Sequence, residues 1–341
     1  MKIFTAKKLL TETVIALAVL LVVMGVCVSI GSSSISLGKV LAGPGEFAGE
    51  NVDYEIASVR LSRVILAAFV GAALAAAGVI FQAILRNPLA DPFILGVSSG
   101  AGLGVILAVT LGLSSAVLGG SPVSACAFVG ALATVWLVWV VGHMAGGSQV
   151  TSLLLAGVVI NSFFSAVMMF LVSISSAEQV RTTVYWLMGN ISDRSSSVLA
   201  VSIVIILGGL AGLGAMSKYL NVLTFGDSEA KSLGVDAGRV KFLAIALASL
   251  VTAVAVSLSG LIGFVGLIVP HGVRLVFGPD HRRLLPMSAI TGACFLVIAD
   301  TAARTVLGSE QLPVGVITAI VGGPFFLILL ARYSRKVSWL K

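Results

Sequence analysis

The sequence predicts an all-α polytopic membrane protein with about ten transmembrane helices. Three observations carry that prediction. Hydrophobic residues make up 58% of the 341 and charged residues only 10%, too few to coat a soluble domain of this length. The apolar residues gather into about ten runs long enough to cross a bilayer as helix, where lipid offers no partner to an unpaired backbone group. The 38 glycines allow helices to pack closely in a medium where burial gains little.

The spans fall near residues 14–31, 62–85, 93–112, 121–142, 152–174, 196–214, 242–260, 261–276, 285–307 and 313–331. The first follows a basic start, as a signal peptide would, but its apolar run is long and an even span count requires it, so it is read as uncleaved. Residues 32–60 then form an outer segment carrying Glu46, Glu50, Asp53 and Glu55. RNPLADPFILGVSSGAG, Arg86–Gly102, separates the second and third spans. Its two prolines block helix continuation and push the residue before each toward extended geometry, so Asn87–Pro92 reads as a stiff corner.

Residues 175–195 form a second outer segment, and 215–241 the longest inner one. Within the latter, GDSEAKSLG is too polar for lipid. Glu229, Ala230, Lys231 and Leu233 suit a short helix bracketed by Gly226 and Gly234, which reads as a handle for another protein; a solvated linker is the alternative. The seventh and eighth spans meet in SLSGLIGFVGLIVPHGVR, where Gly260 and Gly263 are the sole break signals, so one bent segment stays open.

Sidedness follows from the basic residues. Fifteen of the 21 Lys and Arg fall on one side: Lys2, Lys7, Lys8, Arg86, Lys218, Lys231, Arg239, Lys241, Arg274, Arg282, Arg283, Arg332, Arg335, Lys336 and Lys341. Both termini are therefore expected in the cytoplasm, and the net charge of +7 reflects topology. No soluble face is long enough to make it a nucleic-acid footprint.

Chemical motifs are sparse. Cys27, Cys126 and Cys294 lie in predicted spans with no CxxC pair or neighbouring His and read as small core hydrophobes, so neither a disulfide framework nor a zinc site is expected, and no cofactor or metal is expected of the chain. Gly96, Ser98 and Gly100 match G-x-S-x-G, but that elbow needs a preceding strand and a His–acid pair, and His143, His271 and His281 sit at the inner ends of spans. No phosphate-binding G-x-x-x-x-G-K-[ST] occurs. Asp300 is the one acid well inside a span, and Arg304 one turn away is its expected partner, which leaves little for an ion-coupled carrier to use. The energy for transport is then expected from another subunit.

RNPLADPFILGVSSGAG, followed in order by TSLLLAGVVINS, VYWLMGN, GDSEAKSLGV, GLIGFVGLIVPHGVRLVFGPDHRRLLP and LPVGVITAIVGGPFF, resembles the FecCD-type permeases of binding-protein-dependent ABC importers for iron-siderophore, haem and cobalamin. The resemblance covers about residues 15–335. It implies a cobalamin-importer-permease-like fold in a single domain, 1–341, and a homodimer in the inner membrane. It also implies two cytoplasmic ATP-binding subunits, an extracytoplasmic substrate-binding protein, and no enzymatic activity in this chain.

By the same resemblance, Asn87, Pro88 and Leu89 belong to a cytoplasmic gate, with Ser148 and Thr151 lining the opposed constriction. A helix break that only fixes packing is the alternative. Gly226, Glu229, Ala230, Lys231, Leu233 and Gly234 form the ATPase coupling element, with Arg282 and Arg283 at its border. Arg60, Arg63 and Arg304, on the side the positive-inside rule depletes, match positions that offer arginines to acids of the binding protein. Pairing within the subunit, Arg60 with Glu55 and Arg304 with Asp300, is the competing arrangement. No Met or His cluster selects the cargo, for which an iron chelate is the first expectation and cobalamin the second. An ion-coupled secondary transporter remains the alternative function.

Overall fold

A computed structural model describes residues 6–31, 33–44, 51–113, 122–144, 149–192, 194–307 and 311–338. Among these residues the chain forms thirteen α-helices, one 3-10 turn and no strand. They are α1 Ala6–Ser29, α2 Leu37–Leu41, α3 Val52–Ile84, α4 Val97–Thr110, α5 Pro122–Met144, α6 Gln149–Ile174, α7 Ala177–Leu187, α8 Ser196–Leu223, α9 Asp227–Ser232, α10 Ala237–Ser259, α11 Val265–Phe277, α12 His281–Thr305 and α13 Val314–Ser338. Seven of them, α1, α3, α5, α6, α8, α10 and α12, are long and apolar enough to cross a membrane. The shorter apolar helices α4, α11 and α13 complete the expected set. Inner and outer below denote the sides the charge pattern assigns.

Several helices outrun the apolar runs that announce them. α3 begins at Val52, where Asn51 accepts from the Tyr54 N–H and Asp53 and Glu55 in the first turn complement the helix dipole. α8 continues to Leu223, and α10 starts at Ala237 behind the Asp236 cap. The inner segment expected over 215–241 is therefore largely helix, with α9 in the short stretch left between α8 and α10. Polar residues such as Lys218, Asn221 and Lys241 extend helices beyond lipid, where hydropathy gives no signal.

The seventh and eighth spans are two helices, not one bent segment. α10 ends at Gly260 (φ 69°), and α11 begins after Phe264, a non-glycine residue also at φ 69°. Gly260 tolerates no side chain: a Cβ there would lie 2.2 Å from the Trp186 carbonyl oxygen.

α3 is the axis of the subunit. Val64, Ala67, Val70, Ala73, Ala75–Ala77 and Val79–Phe81 have no exposed surface, and α10, α11 and α12 pack around them. Lipid tails are as apolar as these side chains, so tight packing, not transfer from water, must hold the bundle. The backbone contacts fit that requirement. A Cβ on Gly71 of α3 would lie 2.2 Å from the Gly292 oxygen of α12, and one on Gly100 of α4 would lie 2.4 Å from the Gly130 oxygen of α5. α1, α6 and α8 leave long apolar faces exposed, including Leu21, Val159, Phe163 and Val204.

Candidate functional site

The corner after α3 is built from its own side chains. Arg86 takes a left-handed conformation (φ 47°), the Asn87 N–H returns to the Gln82 carbonyl at 3.2 Å, and the Asn87 carboxamide oxygen accepts from the Leu89 N–H at 2.9 Å. Asp91 accepts from the Phe93 N–H at 2.8 Å and so caps the 3-10 turn Pro92–Leu95, which Gly96 (φ 85°) joins to α4. Desolvation pushes the Asp91 carboxyl up to about 6, with the Phe93 N–H pulling the other way. Asn87 and Leu89 are half-buried and Pro88 is exposed.

α6 is the corner's neighbour. Asn161 accepts from the Ser99 hydroxyl and donates to the Ile94 carbonyl at 3.4 Å, and a Cβ on Gly157 would lie 2.4 Å from that same oxygen. On the other side, the Gln82 amide donates to the Gly266 carbonyl at 3.2 Å and accepts from Arg274 at 3.0 Å, tying α3 to α11. The sequence reading does not single out Asn161 or Gln82 and counts Arg274 only among the basic residues that set sidedness, although amides inside apolar spans are a signal in themselves. Of the opposed constriction, Thr151 is exposed in the first turn of α6, and Ser148 lies outside the described residues.

α9 projects from the inner side. Gly226 (φ 133°) precedes it and Gly234 (φ 76°) follows it, both in conformations that favour glycine. Its last turn closes through the Val235 N–H on the Ala230 carbonyl at 2.9 Å. Glu229, Lys231 and Leu233 are exposed, Leu233 to 67% of its surface, whereas Ala230 is fully buried and seats the helix. Asp227, unremarked in the sequence, is the junction: its carboxylate accepts from Arg86 of the corner at 2.7 Å and from Lys241 of α10. Burial pushes this carboxyl up, but Lys241 and Arg86 together outweigh it and hold it below the usual carboxylate range.

Two further junctions brace the inner side. Asp280 accepts from Arg282 at 2.8 Å and from Asn221 at 2.7 Å; these donors overcome burial and hold the carboxyl at about 2. Arg283 is buried against Glu12 of α1 at 2.6 Å.

On the outer side, Arg60, Arg63 and Arg304 are buried. Asp300, with no exposed surface, accepts from Arg63 Nε at 3.0 Å and from Arg304 Nε at 3.1 Å. Arg63 also donates to Gln311 at 2.8 Å, and Arg60 donates to the Ser33 carbonyl at 2.7 Å. The structure thus contains the expected Arg304–Asp300 pair, adds Arg63 to it, and engages Arg60 with Ser33 and Val28. The three arginines meet inside the subunit at the outer ends of α1, α3 and α12. Among the described residues, no group of three or more His, Cys, Asp or Glu is placed to hold a metal ion.

Fold and junctions together define a polytopic helical membrane protein with a hydrogen-bonded corner and a short, largely exposed helix on one face. The chain belongs to the FecCD transport family, whose sequence profile matches residues 17–332. It is 47% identical over 281 residues to the cobalamin import system permease protein BtuC of Halobacterium salinarum, covering 82% of this chain and 74% of that one. It is 42% identical over 290 residues to the hemin transport system permease protein HmuU of Yersinia pestis, covering 82% and 84% respectively. Its fold is similar to an inward-facing structure assigned to a metal-chelate type ABC transporter, with a TM-score of 0.83, 31% identity, and 94% of this chain and 99% of that one covered.

Proposed function

We propose that this chain is the membrane-spanning permease of a binding-protein-dependent ABC importer that moves an iron–siderophore complex, haem or cobalamin across the inner membrane. The family match across residues 17–332 carries the proposal, and relatives named for cobalamin and for hemin support the cargo class. In this reading the chain works as a homodimer with both termini in the cytoplasm. It hydrolyses nothing itself; two cytoplasmic ATP-binding subunits dock on the exposed Glu229, Lys231 and Leu233 of α9, and a binding protein delivers the chelate outside.

Asn87, Pro88 and Leu89 form the inner gate opposite Thr151 and Ser148. A cysteine at Asn87, in a background freed of Cys27, Cys126 and Cys294, is expected to change its reactivity toward a water-soluble thiol reagent between nucleotide-free and ATP-trapped states. Equal reactivity in both would reduce the corner to a packing device. The outer face around Arg60, Arg63 and Arg304 is the proposed seat of the binding protein. Their burial supports the reading that they hold this face in shape, because each guanidinium would have to leave Asp300, Gln311 or Ser33 to reach a partner's acid.

An ion-coupled carrier is the weaker reading, since the carboxylate it would use, Asp300, already has an arginine on each oxygen. The deciding experiment is uptake into vesicles of the chain assembled with its ATPase, with cyanocobalamin, haemin and a ferric hydroxamate as probes. Uptake that needs ATP and a binding protein supports the proposal. Uptake driven by a proton or sodium gradient without ATP would overturn it.

A further inference from the structure

The inner face joins its corner to its handle through one carboxylate. We infer that Arg86 and Asp227 form a positioning link that makes the corner Asn87–Pro92 follow the handle α9. This rests on the importer reading above.

Asp227 opens α9, and its two oxygens go to two different elements, one to Lys241 of α10 and one to Arg86. The two contacts are unequal. The Lys241 side chain is 7% exposed, so its ammonium depends on that carboxylate, and this half of the junction fixes α9 to α10. The Arg86 and Asp227 side chains are 49% and 50% exposed. A pair so open to water is a weak stabiliser, and its effect is to set geometry.

The geometry at Arg86 is specific. The residue sits immediately before Asn87, in a left-handed conformation that a non-glycine side chain seldom adopts. Its guanidinium donates both to Asp227 and, at 3.2 Å, to the Leu223 carbonyl at the end of α8. The residue that leads into the corner is thus held twice, at the end of α8 and at the start of α9. The 3-10 turn after the corner is held by Asn161 of α6, and Asn87 itself returns to α3 through the Gln82 carbonyl. A displacement of α9 by a docked subunit therefore reaches Asn87 through Arg86, whereas the remaining contacts hold the corner to the spans.

The test is the ratio of ATP hydrolysed to molecules transported, measured in vesicles with the chain's own ATPase and binding protein and the three probes named above. The link predicts that Arg86→Gln assembles and hydrolyses ATP at the wild-type rate but raises that ratio about tenfold, within the usual range of coupling between sites. Arg86→Lys, which keeps a charge for Asp227, is expected to restore most of the coupling. A merely structural arginine would lower assembly and leave the ratio of the assembled fraction unchanged. An unchanged ratio in Arg86→Gln overturns the link, as does its failure to assemble or a loss that Arg86→Lys does not repair. Wild-type protein that takes up none of the probes with ATP would sink the importer reading itself, and the link with it, whatever the Arg86 variants do.

Discussion

The two faces of the subunit carry the same device in different surroundings. On the outer side Asp300 bridges Arg63 and Arg304; on the inner side Asp227 bridges Arg86 and Lys241. Asp300 has no exposed surface, whereas the Asp227 side chain is half-exposed. Burial decides what each bridge does. Removing one partner from a buried ion pair leaves a charge with no water and no counter-ion, at a cost of about 3–5 kcal/mol, whereas an exposed pair contributes about 0–1 kcal/mol. The outer bridge is a staple for α1, α3 and α12. The inner one joins Arg86, beside the corner, to α9 and α10, where the proposed link would act.

The largest effect that separates them is expected from Asp300→Asn. It strands the guanidiniums of Arg63 and Arg304 and should lower stability by about 3–5 kcal/mol, read as a fall in the thermal unfolding temperature in detergent. A loss as small as that of an exposed pair would erase the contrast.

A smaller effect, opposite in sign, is expected at the corner. The Asp91 carboxyl stands at about 6, above the ordinary 3.8, so the folded state holds its proton more tightly than the unfolded chain. Its penalty is full above pH 6 and fades as pH falls toward 4. Asn caps as well as Asp and carries no charge, so Asp91→Asn should stabilise the protein at pH 7 and match wild type near pH 4. Thermal unfolding scanned across that range checks it. Asp280 runs the other way: held at about 2, its stabilisation is full above about pH 4 and is lost as pH falls through 2.

The smallest stability effect is expected at the inner bridge, where Arg86→Gln should shift stability by no more than about 1 kcal/mol. An unfolding temperature that falls as far as that of Asp300→Asn would make both bridges staples.

The sequence discloses these two bridges unequally. Hydropathy marks the spans because lipid imposes length and composition together, and Pro88 and Pro92 disclose the corner because their stereochemistry is local. Arg304 and Asp300 are visible as a pair because they lie four residues apart on one helix. Arg63 joins Asp300 across 237 positions and Arg86 reaches Asp227 across 141, and nothing in a single chain announces such partners. The same limit hides Asn161 against Ile94. Hydropathy does not mark the helical ends at Leu223 and Ala237 for another reason: helix that leaves the bilayer keeps its hydrogen bonds but drops its apolar code. The segment 175–195, read only as an outer connection, holds α7, although its Ser176–Gln179 capping box has an S-x-x-Q spacing that is local.

The most direct test of the account is whether the handle receives the ATPase while the outer bridge only holds the fold. Glu229→Ala with Leu233→Ala removes two exposed side chains, so the variant should insert and unfold at the wild-type temperature. Its co-purification with the ATPase subunit should fall sharply, whereas Asp300→Asn that survives purification should retain the ATPase. Full ATPase assembly and wild-type uptake by the Glu229→Ala, Leu233→Ala protein would contradict the account.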